Sequence, residues 1–337
     1  MKRFLILVLF SLLSGDACLY AQQSAKPIGS KPLFNQETHE AKGYGTNAAR
    51  VDSQITLKIP EGKAQEVFSY IKETYAGNND LLKNAFPALD LKGQEKIDIS
   101  EFTDEYFDTP NLDLYRNKNS VRHRHRLNTT DPNDRKSGRE LIQMKVTPPG
   151  RFDMRTELKF KVEKKLKNQL KRKDLDNNNQ LLRFVNINSR ANFKDALTKV
   201  GIDPYSLRLI ITNHQRRSRV YVNWGNENTF SFSVDEYEAT LLGLKASACS
   251  VDVGRCEKPY TAANEAKRKV MRDVTDFMVA DLKTHFPELE QNNEDKYNIL
   301  LHQILAQLPC LEFLIKWNLI PSFMYEPQQS HATTQDY

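Results

Sequence analysis

The sequence predicts an α+β protein centred on an antiparallel β-barrel, and three observations lead there. Several segments alternate apolar and polar residues with the period of a strand. In four of them the polar face is cationic. Beyond Lys245 the spacing turns helical, giving a C-terminal helical extension.

The elements follow in chain order. Lys2 and Arg3, an apolar run from Phe4 to Leu13, and small residues leading to Ala21 read as an export signal cleaved after Ala21. The mature chain is then expected to be periplasmic or secreted, with no transmembrane segment. Cys18 raises a lipoprotein alternative, which Gly15-Asp16-Ala17 disfavours because the aliphatic lipobox residue is missing. Gln22 to Ala49 lacks periodicity and reads as a flexible leader. Ile55, Leu57 and Ile59 oppose Gln54, Thr56 and Lys58 in a first strand, and Glu61 to Tyr75 follows as an amphipathic helix. Further strands are expected at Ile97 to Phe107, Ser120 to Leu127, Glu140 to Val146, Arg155 to Val162, Leu207 to Val222 and Thr229 to Tyr237. Thr261 to His285 and Asp295 to Leu308 read as helices ended by Pro287 and Pro309, with a loose tail from Gln328 to Tyr337.

The charge pattern carries the functional argument. Arg122, Arg124 and Arg126 share one face of their strand, opposite Val121, His123 and His125. No acid sits among these arginines within the strand, so removing Arg122 and Arg124 is expected to relieve repulsion and leave stability intact. Leu141, Gln143 and Lys145 face one way, as do Arg155, Glu157, Lys159 and Lys161, and as do Arg217, Arg219 and Tyr221. A wet sheet surface normally mixes signs, so four cationic faces fit a charged channel inside a barrel with an apolar exterior under helices. The net charge of +6 and pI of about 8.9 agree with an anionic partner. Arg151 to Lys173 holds 10 Lys/Arg against 3 Asp/Glu. Its lysine-rich part lacks interleaved aromatics and reads as a solvated loop, so no nucleic acid is expected.

Two other features have a plain reading. His123 and His125 could ligate zinc, but a position on the outer surface beneath a helix is expected. Cys249 and Cys256 are close enough in sequence for a small disulfide loop, with free thiols the equal alternative.

Tyr106-Phe107-Asp108-Thr109-Pro110, then Leu112-Asp113-Leu114-Tyr115-Arg116 and the alternating Arg122 and Arg124, resemble the CYTH/triphosphate tunnel metalloenzyme superfamily, which includes VTC-type polyphosphate polymerase domains. The resemblance runs from about Arg50 to Lys245, a tunnel domain over 50–245, with signal, leader and helical extension at 1–21, 22–49 and 246–337. It implies an eight-stranded antiparallel tunnel for triphosphate or polyphosphate. The substrate ligands it implies are Lys58, Arg122, Arg124, Arg126, Lys145, Arg155, Lys159, Arg217 and Arg219. Glu157 and Asp235 would hold Mg or Mn for metal-dependent hydrolysis or phosphotransfer, with a non-catalytic polyphosphate- or organic-phosphate-binding module as the alternative. The chain departs from the family at the first strand, where Glu-x-Glu-x-Lys is replaced by Gln54, Thr56 and Lys58. It departs again after Gly243, where Leu244-Lys245-Ala246-Ser247 replaces a late acidic pair.

Overall fold

The computed structural model describes residues 50–51, 54–77, 80–130, 138–147, 156–163, 180–292 and 294–320. The signal and leader, Arg155, the run from Lys164 to Lys173 and the tail lie outside the described residues. The chain runs β1 (Arg50–Val51), β2 (Gln54–Ile59), α1 (Ala64–Tyr75), α2 (Asp80–Ala85), β3 (Leu91–Gly93), β4 (Asp98–Asp108), α3 (Asp113–Arg116) and β5 (Ser120–Asn128). There follow β6 (Arg139–Val146), β7 (Thr156–Lys161), α4 (Gln180–Phe184), α5 (Ile187–Lys199), β8 (Arg208–Trp224), β9 (Glu227–Leu241) and β10 (Leu244–Arg255). The chain then continues through α6 (Glu257–Ala262), α7 (Glu265–His285), β11 (Glu290–Gln291), α8 (Lys296–Gln307) and α9 (Leu311–Lys316).

All strand pairs are antiparallel, in an 11-stranded sheet of order β1-β7-β6-β5-β4-β8-β9-β10-β2-β11 with β3 added beside β8. The α+β class with an antiparallel sheet and flanking helices is as predicted. Among the described residues the pairing path does not close, and it carries more strands than eight because short edges at β1, β3 and β11 extend it. The sheet also runs past Lys245 to Arg255. Between β9 and β10 the chain reverses through Leu242 and Gly243, both at positive φ (55° and 79°), which fits a two-residue type I′ hairpin. That turn is what Gly243 serves here.

The convex face is apolar and covered by two helical layers. Leu57, Val220, Phe232 and Val251 meet Val67 and Ile71 of α1 and Met271, Val274 and Met278 of α7. Val121, Ile142, Met144, Leu158 and Phe160 meet Phe193 and Leu197 of α5 and Leu300, Leu301 and Ile304 of α8. Each of these buried side chains is worth about 1.5–3 kcal/mol, so a one-residue slip that exposed a strand's set would be prohibitive. The register that buries Val220 therefore forces Arg217 and Arg219 to the concave face.

Cys249 lies within β10 and Cys256 directly after it. Seven residues of extended chain span about 23 Å. A disulfide needs Cα atoms within about 7 Å, so the Cys249–Cys256 loop is excluded.

Candidate functional site: a cationic cavity with internal counter-ions

The concave face encloses two connected chambers of about 310 and 570 Å³, which share Gln54, Arg217, Arg219 and Asp252. The smaller is lined by nine Lys/Arg against four Asp/Glu. Of the expected ligands, Arg122, Arg124, Arg126, Lys145, Lys159, Arg217 and Arg219 all line it, as does Glu157. Lys58 shares the face of Thr56 but is exposed and outside the lining, and Arg155 lies outside the described residues. Arg139 and Lys296 complete the cationic set.

Sequence reasoning weighs Asp235 as a partner for neighbouring arginines, equally with a metal role, but misses Asp104. Asp98, Ser100, Phe102, Asp104 and Tyr106 form a same-parity row on β4, and register sets Arg124 opposite Asp104 and Arg122 opposite Tyr106. Asp104 is fully buried. Arg124 donates to both its oxygens, Nε to Oδ1 at 2.5 Å and Nη2 to Oδ2 at 2.6 Å, and Arg122 Nη1 adds a third bond at 3.0 Å. Burial opposes ionisation of Asp104, but the two guanidiniums prevail and hold its carboxyl below the usual range. The alternation that revealed the arginines was present in this neighbouring strand too.

A second buried carboxylate repeats the design. Asp235 on β9 accepts from Arg217 Nε and Nη2, both at 2.6 Å, and from Lys296 Nζ. Against its burial these cations depress its carboxyl strongly. Asp295 pairs with Lys145 at 3.0 Å, and Glu157 accepts from Gln143 Nε2 at 2.5 Å with Lys159 3.5 Å away. Asp252 accepts from Thr56 Oγ1 at 2.7 Å.

Two guanidiniums have less compensation. Arg219 binds only neutral oxygens among its hydrogen-bonding partners, Ser233 Oγ at 2.7 Å and Tyr221 Oη at 2.9 Å. Arg126 donates to Ser100 Oγ at 2.7 Å and reaches Asp98 only at 3.4 Å, and its Nε has no hydrogen-bond partner. Burial, together with the positive fields of Arg219 and Arg217, pushes the Arg126 guanidinium down from its ordinary value even though Asp98 opposes this. The Phe102 ring lies beside Arg126, its centre 5.5 Å from that guanidinium, 4.2 Å from Arg124 and 5.6 Å from Arg217, while Arg219 lies over the Tyr221 ring. This corner has positive charge to spare.

The Tyr106 to Pro110 motif lines neither chamber, and only Tyr106 touches the site, its buried hydroxyl accepting from Arg122 Nη1 at 3.2 Å. Opposite Tyr106 and Phe107, β8 carries a bulge with Ile210 as its extra residue, and Asp108, at the end of β4, turns to the start of α3. Its carboxylate accepts from the backbone N–H of Thr109, Leu114 and Tyr115 and from Tyr297 Oη. Tyr297 also stacks on Tyr106 with ring centres 5.1 Å apart. The motif thus seats the first turn of α8, which delivers Asp295 and Lys296 to the cavity.

The family resemblance implies a divalent metal, and the donor set tests that implication. Glu157 and Asp235 belong to no group of three or more His, Cys, Asp or Glu able to hold a metal among the described residues. Asp104 and Asp235 already spend their oxygens on cations. These residues do not fit a carboxylate-built metal centre.

His123 lies on the outer face beneath α4, as expected from its parity. Its Nδ1 is 3.0 Å from Glu105 Oε2, its Nε2 is 3.2 Å from Glu140 Oε2, and its ring is 5.0 Å from that of Phe184. No described helix is long and apolar enough to cross a membrane.

Among solved structures, a Hippeastrum adenylyl cyclase candidate, described as having a dominant triphosphatase activity, is 14% identical with a TM-score of 0.43, covering 74% of this chain and 95% of that one. A protein from Pyrococcus horikoshii OT3 is 11% identical with a TM-score of 0.39, covering 75% and 99%. An adenylate cyclase candidate from Bacillus halodurans is 13% identical with a TM-score of 0.38, covering 66% and 91%. No curated protein matches the chain. Residues 74–285 match the family model of the CYTH domain, well over half the chain, and the chain therefore belongs to the CYTH domain family.

Proposed function

We propose that this cavity binds a triphosphate- or polyphosphate-type anion. One observation carries the reading: Arg126 and Arg219 line the cavity within each other's positive field, Arg219 hydrogen-bonded only to neutral oxygens and Arg126 reaching Asp98 only at 3.4 Å, an arrangement a polyanion relieves. Phosphate oxygens would take the donors of Arg219 and Arg126, while Arg122 and Arg124 stay engaged with Asp104. Family membership agrees with a triphosphate ligand. The donor set favours a binding module over metal-dependent hydrolysis, since Asp235 is committed to Arg217 and Lys296 and Glu157 to Gln143 with Lys159 nearby.

Calorimetry with inorganic triphosphate tests this at low salt, paired with a phosphate-release assay in Mg²⁺ and in Mn²⁺. Saturable binding is expected, and Arg219→Ala should weaken it by roughly 10- to 100-fold, because a charge-assisted bond is worth about 1.5–3 kcal/mol. Stability should barely change, since the hydrogen bonds lost are to neutral hydroxyls. Absence of saturable binding in the wild type would overturn the proposal, and sustained phosphate release would replace the binding module with a hydrolase.

The charged start, apolar run and Ala21 support export to the periplasm or beyond. N-terminal sequencing from the native host should find Gln22 first; an intact Met1 would refute export.

A further inference from the structure

We propose that Lys296 is a built-in substitute for a divalent cation, so that this cavity takes its anion without metal. The inference rests on the anion-binding reading above and names the residue that sets its metal requirement.

The argument starts from where Lys296 comes from. The family match ends at residue 285, and the segment after it turns back into the cavity. β11 pairs with β2, placing Glu290 opposite Lys58, and Asn292 N–H donates to the Thr56 carbonyl. Glu294, Asp295 and Lys296 then line the smaller chamber. The position is enforced, since Tyr297 is held by Asp108 and Asn298 Nδ2 donates to the Tyr115 carbonyl at 2.9 Å. Lys296 is therefore fixed within the site.

Its target is the acid that a metal would need. Asp235 is fully buried, and Arg217 chelates it through two bonds on the side of β8. Lys296 Nζ closes the remaining approach at Oδ2 and also lies 4.7 Å from the centre of the Tyr237 ring. An ammonium there supplies a positive charge at the carboxylate as a metal would, but it cannot be chelated away. The same segment sets Asp295 on Lys145, so one stretch of chain brings both a cation for the acid and an acid for a cation. The first-strand carboxylates of the resembled family are Gln54 and Thr56 here, and Thr56 Oγ1 donates to Asp252, which removes a further potential ligand.

The test uses the full chain, inorganic triphosphate and Mn²⁺. In wild type, triphosphate affinity in EDTA should equal that in Mn²⁺ within twofold. Lys296→Met should lose at least tenfold affinity in EDTA and recover most of it in Mn²⁺, which then competes only with Arg217 for Asp235 Oδ2. Lys296→Arg should keep wild-type affinity in EDTA. Electron paramagnetic resonance of Mn²⁺ without phosphate gives an independent reading: no protein-bound Mn²⁺ in wild type, one bound ion in Lys296→Met, and none in Lys296→Met/Asp235→Asn. If Lys296→Met fails to fold, Lys296→Gln replaces it. Should no protein bind triphosphate, the anion reading fails, while the Mn²⁺ spectra still decide the role of Lys296. Wild-type binding that requires Mn²⁺, or a Lys296→Met variant with unchanged affinity and no bound Mn²⁺, overturns the proposal.

Discussion

Replacing Arg122 and Arg124 together by alanine should destabilise the protein by roughly 3–5 kcal/mol, the cost of leaving a buried carboxylate without its partners. From the strand alone the opposite is expected, because three same-face cations repel. The structure reverses that sign: Asp104 has no exposed surface, and its two oxygens accept three bonds from these two arginines. Native domains are stable by about 5–15 kcal/mol, so the double variant should lose a large part of the total. Urea denaturation measures it. Adding Asp104→Asn removes the stranded charge and should recover much of the loss, whereas Asp104→Asn alone should also be destabilising because two guanidiniums then lack their counter-ion. Wild-type stability in the double variant would mean that Asp104 is solvated and that the concave face has been misassigned. The same logic explains why anion affinity is better tested at Arg219, whose hydrogen-bond acceptors are neutral.

The cationic faces were legible in the sequence because a strand writes its faces at period two, and burial of Val220, Ile142 and Leu158 then fixes which face turns inward. Of the counter-ions, Asp235 reads in the sequence as either an arginine partner or a metal ligand, and Asp104 is not read at all. Asp104 and Asp235 become partners of Arg124 and Arg217 only through cross-strand register, which no single segment encodes. Lys296 was harder still. It begins a helix whose apolar residues predict packing on the sheet, and nothing local says that its first turn enters the cavity. The strand at Leu244–Arg255 was missed because Ala246, Ser247, Ala248 and Ser250 blur the alternation, although β9 on one side and β2 on the other hold it along its length. The helix at Ile187–Lys199 has a weak apolar stripe, with Phe193, Ala196 and Leu197 as its buried face. Tertiary burial makes that helix more than its pattern does.

Raising the pH from about 6 to about 10 should weaken the wild-type fold by on the order of 3 kcal/mol through His123 alone. Burial disfavours the charged imidazole, but hydrogen bonds and attraction from Glu105 and Glu140 outweigh it and push His123 up from 6.5 to about 9. A group raised in the folded state binds its proton more tightly there than when unfolded. Its stabilising contribution is complete below about 6.5, declines between 6.5 and 9, and is gone above 9. The shift of roughly 2.5 units corresponds to about 3 kcal/mol at 1.36 kcal/mol per unit. Lys296, which burial lowers to about 8, can also titrate in this window, so the informative quantity is a difference. The urea midpoint of wild type minus that of His123→Gln should fall steadily from pH 6.5 to 9 and then level off. Glu105→Gln should roughly halve the slope, since Glu140 Oε2 still holds Nε2 at 3.2 Å. A difference curve flat across this range would show that the imidazole is neutral between its two carboxylates, and the Glu105–His123–Glu140 contact would then contribute hydrogen bonds without charge.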